Sequence, residues 1–285
     1  MSWFDIGTTF LTGIAAGYLV LAALVTICQR RLIYNPDPRR TTPTGCGLSG
    51  VSVSTIPTPD GAEIVAWYAP PAPGHPTILY FHGNAGWIEL RADRMADLMR
   101  RGVGVLMPSY RGYGGSSGKP SEAANVADAQ LAYDWLREQG TGPREIILFG
   151  ESLGTGVATQ LAVNRVCGGL VLDSPYTSMA DLGARDYPWL PVRSLLWDRY
   201  ETARHIKGVR APVLVIHGAD DTLVPARMGQ AVYEAANGPK QIVIYPGATH
   251  LDHRRLGSFD DLARWVMTLP ERKRIRLTAV DRIAS

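Results

Sequence analysis

Short apolar segments alternate with amphipathic segments along most of this chain, and that alternation constrains its fold more than any other feature. The segments predicted to form strands lie at 77–81, 103–107, 145–149, 169–172, 213–217 and 241–245. Those predicted to form helices lie at 87–101, 121–139, 153–166, 225–236 and 258–268, with Ser121 and Ser258 as candidate N-caps. A chain that alternates in this way forms an α/β domain, with a mostly parallel central sheet and helices on both faces.

The segment before the first of these strands predicts two more. Apolar residues alternate at 51–56 and 62–68, on either side of Pro59-Asp60-Gly61, which is typical of a β-hairpin. With 46% hydrophobic residues the chain can bury a substantial core, which excludes a disordered protein. Its 3 cysteines have no paired spacing and argue against a disulfide scaffold. We therefore expect one domain over residues 51–270.

The N-terminus carries a long apolar run. No charged residue occurs between Ile6 and Cys28, and a helix of that length, about 35 Å, can cross a hydrocarbon core of about 30 Å. It could also be a cleaved signal peptide or a buried helix, but the five residues before the run include no Lys or Arg. We expect a retained single-pass anchor over 1–28.

The charges are distributed unevenly along the chain. Residues 41–270 hold 20 basic and 22 acidic residues, whereas 29–40 and 271–285 each carry a net charge of +3. By the positive-inside rule, the arginines that follow the anchor place the domain on the cytoplasmic side. Segment 29–50, rich in Pro, Gly and Thr, is predicted to be a juxtamembrane linker. Two basic flanks suit an anionic membrane surface and do not suit a nucleic-acid partner; the oligomeric state is left open.

Two copies of the pattern Gly-x-Ser-x-Gly offer candidate nucleophiles. Ser152 stands between a predicted strand and a predicted helix, which is the sharp turn that exposes a nucleophilic serine and leaves the N–H of Leu153 free for an oxyanion. Ser116 lies in a glycine-rich loop before Lys119-Pro120 and is the weaker candidate.

A serine nucleophile needs a base and an acid. His250 follows the last predicted strand, and His253 is the second candidate for the base. Asp221 follows the predicted strand at 213–217 and is the first candidate for the acid, with Asp220 and Asp173 as further candidates.

The second oxyanion donor is expected in the loop after the first predicted strand of the alternating series. We assign it to the N–H of Asn84, with that of Ala85 as the second candidate. His82 and His217, each before a glycine at a strand end, are expected to orient loops. The chain has no HExxH, no clustered Cys and His and no GxxxxGK[ST], so we expect neither a metal nor a cofactor.

Six motifs in this order resemble those of the α/β-hydrolase superfamily, and within it the membrane-anchored Bem-type serine hydrolases and the ABHD depalmitoylases. They are HGNA (82–85), YRGYGGSSGKPSE (110–122), GESLG (150–154), DSPYTS (173–178), HGADDTLVP (217–225) and GATH (247–250). The resemblance implies an α/β-hydrolase fold with Asp221 as acid and His250 as base. It also implies a short cap over about 174–208, whose Trp, Tyr and Leu side chains border an acyl-sized entrance.

The predicted function is that of a serine hydrolase which cleaves carboxylic esters or thioesters of acylated substrates near a membrane, through Ser152, His250 and Asp221. Two further functions remain open. One is that of a serine peptidase of the prolyl-oligopeptidase type, although the chain is too short to include a propeller. The other is that of a catalytically inert, membrane-tethered interaction protein.

Overall fold

The computed structural model describes residues 3–269, and all the predicted strands and helices appear in it. The strands are β1 (Asn35–Pro36), β2 (Ser52–Pro57), β3 (Glu63–Ala69), β4 (Thr77–Phe81), β5 (Ala85–Gly86), β6 (Gly104–Pro108), β7 (Ile146–Glu151), β8 (Gly169–Asp173), β9 (Val213–Gly218) and β10 (Lys240–Tyr245). The α-helices are α1 (Trp3–Ile33), α2 (Ala92–Arg100), α3 (Glu122–Glu138), α4 (Leu153–Asn164), α5 (Met179–Asp186), α6 (Val192–Leu195), α7 (Thr202–His205), α8 (Ala226–Ala235) and α9 (Ser258–Thr268). The predicted basic tail at 271–285 lies outside the described residues.

Eight strands form the central sheet, in the order β10-β9-β8-β7-β4-β6-β3-β2. The strands from β10 to β6 are parallel, and the β2–β3 hairpin adds the antiparallel edge. This is the predicted α/β-hydrolase fold, with a mostly parallel sheet. Because parallel strands end at the same edge, the loops after β4, β7, β8, β9 and β10 converge there.

Two clusters of buried apolar side chains cover the two faces of the sheet. One cluster includes Leu148 and packs under α3, α4 and α8, whereas the other includes Phe149 and packs under α2 and α9. These two residues are neighbours in β7 and point to opposite faces. A strand buried on both faces needs an uninterrupted apolar run, which is why the central strands are recognisable in the sequence.

One of the two predicted N-caps is correct. The Ser121 hydroxyl accepts a hydrogen bond from a backbone N–H in the first turn of α3. Ser258 is instead the first residue of α9, and Gly257, with φ of 91°, is the N-cap. The Ser258 hydroxyl lies 3.1 Å from Nδ1 of His253, so a tertiary contact replaces the expected cap.

Helix α1 is long and apolar enough to cross a membrane. It continues past Cys28 to Ile33, so the first five residues of the predicted linker are helical. The rest of that segment also differs from the expectation of a linker that stands free of the domain. Tyr34 and Leu48 are buried, and β1 pairs in parallel with β5 in the loop after β4. The Pro- and Gly-rich composition hides these two apolar contacts, which fasten the segment to the domain.

Helices α5, α6 and α7 lie between β8 and β9, within the predicted cap range. Leu190 is buried there, but Tyr187, Trp189 and Trp197 are half exposed. Side chains of α1 donate to the carbonyl of Trp189 and accept from the N–H of Trp197. The cap therefore adjoins the N-terminal helix.

Candidate active site

Ser152 occupies a sharp turn between β7 and α4. Its φ of 50° and ψ of −114° are unusual for a residue with a side chain, and such strain is typical of a functional site. Glycine is required on both sides: a Cβ on Gly150 would collide with the backbone of Gly154, and a Cβ on Gly154 with the backbone of Phe81. The close approach of strand and helix therefore explains both glycines of the motif.

The predicted base and acid lie next to this serine. Nε2 of His250 is 3.0 Å from Oγ of Ser152, and its Nδ1 is 2.7 Å from Oδ2 of Asp221. These distances are within hydrogen-bonding reach for a nucleophile, a base and an orienting acid. The structure thus brings together three residues that are separated by up to 98 positions in the sequence.

Asp221 is buried and accepts further hydrogen bonds. The N–H of Val224 donates to its Oδ1 at 2.8 Å, and Nε2 of His217 lies 3.3 Å from its Oδ2. Burial raises the pKa of this carboxyl group, but the hydrogen bonds from His217 and His250 lower it by more, so the net pKa lies below its usual value. The carboxylate is therefore ionised at neutral pH.

The loop that carries His250 is fastened to the end of β8. The Ser174 hydroxyl donates to the backbone carbonyl of His250 at 2.6 Å. A Cβ on Gly218, at the end of β9, would collide with the backbone of Thr249, so the loop rests directly on that strand. Ser174 itself has a left-handed φ of 54°, a conformation rarely adopted by serine. Sequence reasoning missed Ser174, because nothing in DSPYTS marks it as a partner of the histidine loop.

Two backbone segments face Ser152. Leu153 is the first residue of α4, so its N–H has no acceptor within the helix. The loop after β4 lies on the other side, where a Cβ on Gly83 would be only 3.5 Å from Cβ of Ser152. This is the loop in which the sequence predicts the second oxyanion donor, Asn84.

The juxtamembrane segment holds that loop in place. The side-chain amide of Asn84 donates to the carbonyl of Ile33 at 2.9 Å, and its own carbonyl accepts from the Asn35 N–H at 3.3 Å. The Tyr113 hydroxyl joins the two segments, since it donates to the Asn84 carbonyl at 2.7 Å and accepts from the Asn35 N–H at 3.0 Å. We call this set of contacts the juxtamembrane strap.

A buried ionic cluster lies around Glu151, the last residue of β7, which directly precedes Ser152. The Glu151 side chain is fully buried. Its carboxylate accepts hydrogen bonds from the Arg91 guanidinium at 2.7 Å and from the Tyr80 hydroxyl at 2.5 Å, and it also forms an ion pair with Arg94. Burial alone would raise the pKa of Glu151, but the two guanidinium groups lower it below its usual value. A charged residue inside a strand that is otherwise buried is the sequence signal that could have revealed this cluster.

Asp173 and His253, the weaker candidates for the acid and the base, form a pair of their own. Nε2 of His253 lies 2.9 Å from Oδ1 of Asp173, and both side chains are buried. The Ser116 hydroxyl donates to a backbone carbonyl seven residues before it at 2.9 Å, and Asp220 is exposed. None of these side chains contacts Ser152 among the hydrogen bonds of residues 3–269.

His82 and His217 are buried at the ends of β4 and β9. His82 contacts its own loop through the Gly83 carbonyl, 2.7 Å from Nδ1, and packs against the Tyr110 ring. Burial, assisted by the charge of a nearby arginine, lowers the pKa of His82 to about 4, so its ring is neutral at physiological pH. Nε2 of His217 lies 2.8 Å from the Val224 carbonyl. Both histidines thus contact the loops that follow their strands.

The parallel sheet, the strained turn at Ser152 and the convergence of loops at one sheet edge define a hydrolase of the α/β type. Comparison with known proteins agrees. A family model described as the alpha/beta hydrolase fold matches residues 76–201, and one described as serine aminopeptidase, S33, matches 193–254. The chain belongs to the alpha/beta hydrolase superfamily, as the six sequence motifs predict.

Several relatives cover most of the chain. An uncharacterized protein of Mycobacterium tuberculosis (strain CDC 1551 / Oshkosh) is 43% identical over 82% of this chain and 85% of its own length. The lysophosphatidylserine lipase ABHD12 of Danio rerio is 29% identical over 79% of this chain and 71% of its own length. Among solved structures, the Pyrococcus furiosus esterase Pf2001 matches with a TM-score of 0.66 at 22% identity, over 82% of this chain and 96% of its own.

Proposed function

We propose that this protein is a serine hydrolase that cleaves carboxylic esters or thioesters of acyl chains. The observation that carries the proposal is the continuous hydrogen-bonded chain from Ser152 through His250 to Asp221. A serine hydroxyl is a weak nucleophile until a base accepts its proton, and this geometry supplies the base and the acid that orients it.

The reaction proceeds in two halves. Ser152 Oγ attacks the acyl carbonyl while its proton passes to Nε2 of His250, and the N–H groups of Leu153 and Asn84 stabilise the oxyanion. His250 then donates that proton to the departing alcohol or thiol, which leaves an acyl-enzyme. In the second half, His250 accepts a proton from a water molecule that attacks the acyl-enzyme. His250 then returns the proton to Ser152 Oγ, and the carboxylic acid is released.

The relatives and the N-terminal helix support an acyl substrate at a membrane. One relative is named a lysophosphatidylserine lipase and one structural neighbour an esterase. In the proposed arrangement α1 crosses the bilayer once and the domain lies on the cytoplasmic side, next to its substrate. A fatty acyl chain held in a membrane has its carbonyl near the interface, where an anchored hydrolase can reach it.

Replacing the nucleophile tests the chemistry. We expect Ser152→Ala to lower the turnover of p-nitrophenyl esters by at least about 1,000-fold and to abolish labelling by a fluorophosphonate probe. Ser116→Ala, in the other Gly-x-Ser-x-Gly sequence, is the matched control and should keep both. Labelling that survives in Ser152→Ala, or that is absent from the unmodified protein, would contradict the proposal; the second result would favour an inert interaction protein.

A peptidase is the second candidate, because the serine aminopeptidase model matches 193–254. Both activities would use the same three side chains, so substrate choice separates them. We expect p-nitrophenyl esters and acyl-peptide thioesters to be cleaved faster than proline-containing peptide amides. A preference for peptide amides would replace the ester proposal with the peptidase.

A further inference from the structure

The C-terminal end of α1 is joined to the cap by polar contacts. The Gln29 side chain donates to the Leu195 carbonyl at 3.1 Å and accepts from the Trp197 N–H at 2.7 Å. Arg30 binds both carboxylate oxygens of Asp198, at 2.9 and 3.1 Å. The cap therefore has a defined position relative to the helix.

The contact continues far along the helix. The Tyr18 hydroxyl donates to the Trp189 carbonyl at 2.9 Å, which is eleven residues, or about 16 Å of helix, before Gln29. Between these points a small cavity of about 40 Å³ separates helix and cap, and its lining is mainly aliphatic. One side of residues 18–29 thus lies against the cap.

The opposite side of the same stretch is apolar and uncovered. Leu19, Val20, Leu24 and Ile27 are between 54 and 69% exposed. Exposed aliphatic side chains in such a continuous row require an apolar environment. A bilayer that covers them extends to the level of Ile27, and so reaches the part of α1 that the cap contacts.

The length of helix before the first cap contact leads to the same conclusion. Residues 3–17, before the first cap contact, form about 22 Å of helix, whereas a hydrocarbon core is about 30 Å thick. This part alone is therefore too short by about 8 Å to span the hydrocarbon core. A helix that crosses the membrane must carry part of the cap into the lipid.

The cap surface next to α1 has the composition for that environment. Tyr187, Trp189 and Trp197 are half exposed, and the Arg30 guanidinium lies 5.8 Å from the centroid of the Trp197 ring. Tryptophan and tyrosine are enriched at the membrane interface, where one end of the side chain is apolar and the other is hydrated.

From these contacts we propose that the cap is a membrane-binding element, whose aromatic surface enters a phospholipid bilayer beside α1, with Trp189 deeper than Trp197. This inference rests on the proposed membrane anchoring and goes beyond it, because an anchor alone would leave the cap in water. The occupant of the surface is lipid, since a bilayer that covers the exposed aliphatic side chains of α1 reaches the level of the helix that the cap contacts.

The depth of single labelled sites tests the proposal. Trp189→Cys, Trp197→Cys and the control Val166→Cys would each be made in the full chain with Cys28→Ser and Cys46→Ser, and labelled with a fluorophore that responds to polarity. Val166 is exposed and apolar but lies at the opposite edge of the sheet from the cap. The variants are reconstituted in vesicles of phosphatidylcholine and phosphatidylglycerol.

We expect lipids that carry a quencher near the chain end to quench the label at 189 more than that at 197, and iodide in the buffer to quench only the label at 166. Equal iodide quenching at 189 and 166 would overturn the proposal. Protection from iodide without quenching by the lipids would also overturn it, and would indicate a second copy of the chain or another protein on the surface.

A kinetic experiment separates this inference from the proposed chemistry. Trp189→Ser removes the side chain but keeps the carbonyl that Tyr18 contacts. We expect it to raise the KM for a long-chain ester in vesicles about tenfold, which corresponds to the loss of one buried aromatic side chain, and to raise the KM for soluble p-nitrophenyl acetate much less. Val166→Ser should change neither. An unchanged KM in vesicles contradicts the membrane-binding cap, whereas an absence of turnover with either substrate in the unmodified protein contradicts the proposed function.

Discussion

At the scale of single residues, two histidine–aspartate pairs lie near Ser152, and they differ in how exposed the histidine is. His250 is partly exposed and lies 3.0 Å from the serine, whereas His253 is almost completely buried against Asp173. A general base must reach the reacting atoms, so only the first pair is placed to take part in the reaction. The second pair is a buried ionic contact behind the His250 loop.

The buried pair should make stability depend on pH. Burial lowers the pKa of His253, but the Asp173 carboxylate raises it by more, so the folded-state pKa lies above the usual 6.5. A raised histidine pKa stabilises the fold fully below the unfolded-state pKa, and this contribution is lost as the pH rises through the folded-state pKa. We expect the free energy of unfolding, measured by urea titration of the detergent-solubilised protein, to fall as the pH rises from the unfolded-state pKa through the folded-state pKa of His253.

The matched control is the double variant Asp173→Asn with His253→Gln, in which the pH-dependent fall in the free energy of unfolding should disappear. The single variant Asp173→Asn should lower the free energy of unfolding by about 3 kcal/mol near pH 6, because it leaves a buried histidine without its counter-ion. An identical pH dependence in the protein and in the double variant would contradict this account.

The sequence predicts the candidate site residues at strand ends better than the residues that contact them from distant parts of the chain. Ser152, Asp221 and His250 each follow an apolar run, so their positions are evident from the alternation. Glu151 and Ser174 interact with residues that are distant in the sequence, and no local pattern reports such contacts. For the same reason the sequence alone does not show that the weaker acid and base candidates pair with each other.

At the scale of elements, the sequence predicts the central strands to within one or two residues because burial on both faces requires an apolar run. It does not predict the structure of the juxtamembrane segment, since β1 is only two residues long and pairs with an equally short β5. The Pro and Gly content of that segment is typical of a linker, whereas the burial of Tyr34 and Leu48 shows that it packs against the domain.

Loss of one hydroxyl from the juxtamembrane strap should reduce turnover. Tyr113→Phe removes the group that contacts both Asn84 and Asn35. A neutral hydrogen bond contributes about 1 kcal/mol, so we expect kcat to fall about fivefold. KM should change little, because an oxyanion donor acts mainly in the transition state. Steady-state kinetics with a soluble p-nitrophenyl ester would measure both constants.

Tyr133→Phe is the control for general effects of losing a buried hydroxyl. Its hydroxyl donates to the Val166 carbonyl at 2.6 Å, away from the site. It should leave kcat unchanged. If Tyr113→Phe and Tyr133→Phe reduced kcat equally, or if Tyr113→Phe altered KM alone, the strap would not position the oxyanion loop.

At the scale of the whole molecule, one continuous stretch connects the apolar N-terminal helix to the candidate active site. Helix α1 contacts the cap, its last carbonyl accepts a hydrogen bond from Asn84, and β1 then pairs with β5 in the loop after β4. The N-terminal region therefore has two parts in series: residues 3–28 belong to a helix that is apolar enough to cross a membrane, and residues 29–36 contact the domain.

Two deletions separate these parts. Removal of residues 2–28 leaves Gln29, Arg30 and the strap in place, so we expect normal turnover of soluble p-nitrophenyl esters and weaker sedimentation with vesicles, through the cap alone. Removal of 2–36 also takes away Tyr34, whose hydroxyl lies 3.0 Å from Asp198, and strand β1. We expect this longer deletion to lower kcat about tenfold or more, because small displacements of an oxyanion donor are costly. Circular dichroism would verify that both truncated proteins are folded.

Equal kcat in the two truncated proteins would show that the segment from 29 to 36 only connects the helix to the domain. Loss of activity in both would mean that the helix itself holds the cap in its working position.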